Sequence, residues 1–140
     1  MASLIFNHFP YARAKGLIGD AEAANKFKMM LVTSSYTPNK DTHLDRADVT
    51  NEVAATGGYT AGGVVVACTL SKDTANDRII YTFAPGTWTS STITAAAAVI
   101  YLNTGTAADD ILVLYNDFGG NVVTNNTTFS VAASTATDQN

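Results

Sequence analysis

The stretch VVVACTLSKDTANDRIIYTF, residues 64–83, decides the class of fold. Val64, Val66, Cys68 and Leu70 alternate with Val65, Ala67 and Thr69, and Ile79, Tyr81 and Phe83 alternate with Ile80 and Thr82. Alternation of period two over short β-branched runs is the signature of a strand, because successive side chains leave a pleated backbone on opposite faces. Between the two runs lies Lys72-Asp73-Thr74-Ala75-Asn76-Asp77, every residue of it compatible with a turn. The stretch therefore reads as a β-hairpin.

The same pattern extends in both directions. Upstream, Phe27, Met29 and Leu31 alternate with Lys28, Met30 and Val32. Downstream, Val99 and Tyr101 oppose Ile100 and Leu102, Ile111, Val113 and Tyr115 oppose Leu112, Leu114 and Asn116, and Phe129 and Val131 oppose Thr128 and Ser130. Ala84-Pro85-Gly86 stops one strand, residues 103–110 with Gly105 join two more, and Gly119-Gly120-Asn121 reads as a further turn before an extended arm at 122–126. Runs 64–68 and 111–114 are apolar on both faces and need cover from a second sheet, a helix or another subunit. Helical periodicity is nearly absent. Pro10 interrupts the first segment, and residues 11–18 suit one short helical turn ended by Gly16 or Gly19. Residues 21–26 suit a second turn, and 45–55 a third capped by Asp45 or Asp48. The expectation is a single all-β domain over residues 1–140, an antiparallel β-sandwich or barrel of about six to seven strands with one to three short helical turns. Residues 1–20 and 132–140 are expected to be interface arms.

Composition narrows the function. The chain has 140 residues, enough for one domain with a stable core. Only 14% of residues are charged, against about 25% in ordinary domains, so Thr, Ser, Asn, Ala and Gly must build the surface. A surface poor in charge is weakly protected against association, which favours life in an assembly. The net charge is −4, and no Lys or Arg follows Arg78. Nucleic acid requires a phosphate-neutralising patch, so no nucleic-acid partner is expected. No apolar run reaches membrane-spanning length, and no secretory signal opens the chain, so synthesis in a cytoplasm and no membrane partner are expected. The single cysteine, Cys68, excludes an intrachain disulfide and reads as a small buried apolar side chain.

Few constellations suggest chemistry. His43 lies near Asp41, Asp45 and Asp48 in sequence, but its spacing to His8 fits no zinc motif. Asp41, Asp45, Asp48 and Glu52 recur every three or four residues without the alternation and glycine of a calcium loop. Tyr59-Thr60-Ala61-Gly62-Gly63 lacks the lysine of a phosphate cradle, and its glycines read as turn formers entering the next strand. Asn125-Asn126-Thr127-Thr128 holds two overlapping glycosylation sequons, which matter only in a secreted chain. Trp88 with Tyr36, Tyr59 and Tyr81 fits either a core or interface plug or an aromatic sugar-binding platform. No catalytic residue, metal or cofactor is expected, and the chain does not read as an enzyme.

The segment MMLVTSSYTPNKDTHLDRADVTNEVAATGGYTAGG, residues 29–63, has a distinctive order: an apolar strand, a break at Pro38, an acid-rich loop, then two Gly-Gly pairs around Tyr59. It resembles a segment of small structural proteins of tailed bacteriophages. The similarity continues through Asn76-Asp77-Arg78, Trp88, residues 95–101 and Asp117-Phe118-Gly119, so it covers about residues 27–120. The resemblance implies a virion component made in the bacterial host. The favoured form is a capsid cement or decoration protein on the outer shell surface, a homo-oligomer with a trimer preferred. It would stabilise the head by non-covalent contacts with the major capsid protein or other virion subunits. A tail or head–tail component and a carbohydrate- or receptor-binding β module are the alternatives. The candidate interface residues are Leu4, Ile5, Phe6, Phe9 and Tyr11 of the apolar N-terminal segment, Tyr36 and Tyr59 beside the polar loop, and Trp88.

Overall fold

The computed structural model describes residues 3–139. Along them run β1 (Leu4–Ile5), α1 (His8–Ala14), β2 (Phe27–Val32), β3 (Val64–Val66), β4 (Cys68–Asp73), β5 (Arg78–Phe83), β6 (Gly86–Ser91), β7 (Thr94–Leu102), β8 (Leu112–Val123), β9 (Thr127–Val131) and β10 (Ser134–Gln139). All strand pairs are antiparallel. A five-stranded sheet in the order β1-β8-β7-β2-β3 packs with a three-stranded sheet, β10-β5-β4, and the two-stranded β6-β9 sheet. The expected all-β sandwich is the fold. The six alternating runs are all strands; β1, β6 and β10 exceed the expected count, and the first hairpin arm divides into β3 and β4. β6 and β10 are rich in Thr and Ser, so their alternation carries little hydrophobic contrast.

The centre of the five-stranded sheet is buried on both faces. Met29, Leu31, Ile100 and Leu102 point into one core with Phe83, Trp88 and Phe129 of the smaller sheets. Met30, Val32, Val99 and Tyr101 point into a second core with Phe6, Tyr36 and Tyr115. Tyr101 pairs with Leu112 while Ile100 pairs with Leu114, so Val113 is an extra residue bulged out of β8. The bulge changes the phase: Val113 and Leu114 both join the first core, and the strict alternation expected over 111–116 fails. Run 64–68 is also one-sided, with Val66 and Cys68 buried and Val65 and Ala67 exposed.

The expected arms are folded into the domain. β1 pairs with β8, Leu4 opposite Tyr115 and Ile5 opposite Leu114. Helix α1 packs Phe9 and Ala12 into the first core. Pro10 lies inside its first turn, where backbone N–H groups have no helical partner to lose. After the helix, Gly16 N–H donates to Arg13 C=O and Leu17 N–H to Ala12 C=O, a Schellman closure that uses the positive φ of Gly16. At the other end, β10 pairs with β5 along its whole length. Positions 1, 2 and 140 of the expected arms lie outside the described residues. Gly119-Gly120-Asn121 is not a turn between strands: Ala95 pairs with Val122 and Ala97 with Asp117, so the residues between bulge from one continuous β8. Its end, residues 122–123, pairs with β7 and is not a free arm.

Candidate functional site

The loop between β2 and β3 is packed on the central sheet, with Tyr36 and Val49 on its second face and Tyr59 in the first core. Thr33 N–H donates to Asn51 C=O, Val53 N–H to Leu31 C=O and Leu112 N–H to Leu44 C=O. Tyr36 is buried and Val49 packs against the second core. Residues 46–48 form the expected capped turn, here 3₁₀: Asp45 accepts from Ala47 N–H, and Asp48 reaches back to the N–H groups of Asp45 and Leu44. The Leu44 N–H foremost holds the Asp48 carboxyl below its usual pKa.

A polar network ties the loop down. Glu52 accepts from Tyr59 Oη and from Gly62 N–H, each at 2.6 Å. Tyr59 Oη also accepts from Leu31 N–H at 3.1 Å, and Tyr101 Oη donates to Gly62 C=O at 2.5 Å. Burial, followed by the Glu52 carboxylate, raises the Tyr59 pKa, and burial raises Tyr101 to about 12, so both hydroxyls stay protonated. Arg46 lies over the Tyr101 ring and donates through Nε to Asp110 at 2.7 Å. Asp110 also accepts from the N–H and hydroxyl of Thr104. Burial alone would raise Asp110, but these donors hold its pKa below the ordinary value. At the end of the loop, Gly63 has φ +79°, and a Cβ there would stand 1.8 Å from Met29 O. Only glycine lets the chain pass this close to β2.

These contacts also account for the suggestive polar residues. Asp41 bonds Asn7, Asp45 and Asp48 cap a turn, and Glu52 holds Tyr59 and Gly62, so each carboxylate has a local structural partner. His43 Nδ1 lies 2.8 Å from Tyr36 Oη and stacks on that ring. Among the described residues no three His, Cys, Asp or Glu side chains stand together as a metal site. Burial pushes the Cys68 thiol up to about 11, leaving little thiolate at neutral pH.

The eight candidate interface residues divide sharply. Phe6, Phe9, Tyr36, Tyr59 and Trp88 are buried in the protein's own cores, so they stabilise the monomer and offer no surface. Tyr81 is buried too, and no aromatic sugar platform forms from the set. Leu4 and Ile5 are half-buried at the sheet edge, and Tyr11 alone is broadly exposed, at 55%. Sequence spacing brought apolar residues together without distinguishing an internal face from an external one. Leu17 of the same N-terminal apolar segment is exposed as well, and the exposed companions the sequence did not single out are Leu44, Val65, Val122 and Val123. Leu44, an isolated apolar residue in an acidic loop, was the one detectable signal. It shares a shallow depression with His8, Tyr11 and Asp41. A second hollow, about 550 Å³, lies along β1 and is bounded by Lys40, by Leu114 to Asn116 and by Ala133 to Thr135.

No helix among the described residues is long and apolar enough to cross a membrane. Comparison with protein-family models, with curated proteins and with solved structures found no match.

Proposed function

We propose that the protein is a non-enzymatic structural component of a bacteriophage particle, a capsid cement or decoration protein that binds the major capsid protein on the outer shell. The observation that carries this reading is the resemblance of residues 29–63, and of the matching positions through 120, to tailed-phage structural proteins. The physical character of the chain supports it. The surface is low in charge, the central sheet is packed on both faces, and the long acid-rich loop is fastened to that sheet. A rigid body of this kind serves to fill and clamp between neighbours. Several copies joined as a trimer would each add a modest contact, and linked contacts gain through effective concentration.

The contact surface in this reading is the exposed apolar set around Tyr11 and Leu44, not the buried aromatic residues. Cryo-electron microscopy of particles carrying the labelled protein is expected to place it on the shell; density only on the tail would move the assignment there. Particles stripped of the protein should release DNA at a lower temperature than complete ones. Equal release temperatures would mean that it decorates without reinforcing. The paired change Tyr11→Ser and Leu44→Ser should reduce shell occupancy while the isolated protein melts normally.

A further inference from the structure

The hollow beside β1 is bounded by main chain with an unused direction of bonding. Phe6 N–H donates to Val113 C=O of β8 at 2.9 Å. No peptide bond in the described chain is cis, so the carbonyl of Ile5, across the same peptide, points away from β8. In an extended strand the N–H and C=O of one residue share a side, so the Ile5 N–H points outward as well. The next outward group, Asn7 N–H, is already bonded to Lys40 C=O at 3.0 Å. Lys40 thus meets the outer edge at the end of β1, and the hollow is lined by Lys40 and Ile5 together with Ser3, Ala133 and Thr135. Its volume of about 550 Å³ lies within the ordinary span of ligand sites, roughly 300–1,000 Å³.

We infer that this hollow receives an extended peptide strand carrying a carboxylate from a partner protein, which adds to the sheet at the edge of β1. The N–H and C=O of Ile5, which have no partner among the described residues, call for a main chain as ligand, and strand addition at an exposed edge is a general mode of recognition. Lys40 selects the charge. Among the described residues it is the one charged residue bounding the hollow, and its ammonium has no partner among them. Ser3, Asn116, Ser134 and Thr135 supply uncharged polar walls that tolerate varied side chains. The inference stands apart from the phage reading, since it needs a partner strand and not a particle.

The test uses the full chain, isotopically labelled, and two blocked seven-residue peptides of alternating Val and Thr, one with a central Asp and one with Lys in its place. The Asp peptide is expected to shift the amides of residues 3–5 and 133–135 and to slow hydrogen exchange at Ile5 N–H at least tenfold. It should bind about threefold tighter than the Lys peptide, the size of one exposed charge pair. Lys40→Glu should reverse that preference without altering the melting temperature. Ile5→Pro should abolish the binding of both peptides, because the N–H it removes serves no internal bond. Lys40→Glu keeps the test decisive should Ile5→Pro fail to fold. Unmoved amides at millimolar peptide, or an unchanged preference in Lys40→Glu, would overturn the inference. So would sedimentation showing a dimer that already protects Ile5 N–H, which would assign the edge to a second copy.

Discussion

Residues 33–63 and the β4–β5 hairpin lie close together in the chain and are held in opposite ways. The hairpin is regular: Cys68 to Asp73 pair residue by residue with Phe83 to Arg78. It is also one-sided, with Tyr81 and Phe83 inward and Thr69, Ser71 and Lys72 in solvent. The loop has almost no regular structure, yet it packs Tyr36 and Val49 on one face of the central sheet and Tyr59 into the opposite core, and it bonds to β2 and β8. Regular pairing distributes the hairpin's stability over many equivalent contacts. The loop concentrates its stability in a few unlike ones, so single changes should affect the two regions very differently.

The largest effect should come from Gly63→Ala. The added methyl meets Met29 O and forces a left-handed backbone on a residue with a Cβ, for an expected loss of about 4 kcal/mol. Urea unfolding measures it, and a loss below about 1 kcal/mol would mean that the loop does not close on β2 as described.

Asp110→Ala comes next, at about 3 kcal/mol, because Arg46 and Thr104 lose a buried partner. Its pH dependence follows from the depressed pKa. A carboxylate held below its unfolded value of about 3.9 stabilises the fold above that pH. That contribution is lost as pH falls through the folded value. The native protein should therefore weaken as the pH falls below that unfolded value. Asp110→Asn should be less acid-sensitive, and identical acid titrations for the two proteins would remove Asp110 from the account.

Glu52→Gln keeps the shape of the network but weakens two charge-assisted bonds, for a loss of about 1.5 kcal/mol. Hydrogen exchange at Gly62 N–H should rise more than at any hairpin amide; uniform acceleration would argue against a locally fastened loop. In the hairpin, Ser71→Ala on the exposed face should stay within about 0.5 kcal/mol by thermal melting. A larger loss there would erase the contrast between the regions.

Much of this architecture is legible in the amino-acid sequence. The period-two runs located the strands at 27–32 and 79–83, and the turn-forming residues located the hairpin. The helical turn expected within 45–55, capped by Asp45 or Asp48, forms at 46–48 with Asp45 as its cap. The candidate site was much less legible. Phe6 and Phe9 stand in the same apolar segment as Tyr11, yet the first two are internal and the third is exposed. Thr- and Ser-rich β6 and β10 lacked the hydrophobic contrast that marks a strand, and the bulge at Val113 broke the phase that alternation assumes.

The chain's own order determined what neighbouring residues can settle between themselves: strand class, the hairpin, a helix stop at Gly16 or Gly19, and a surface short of charge. Tertiary structure alone decided which aromatic residues are interior, that the acid-rich loop packs on the central sheet, and that the N–H and C=O of Ile5 face away from β8. Alternation and capping are set over a few residues, whereas burial and edge pairing depend on partners as distant as Ile5 and Leu114.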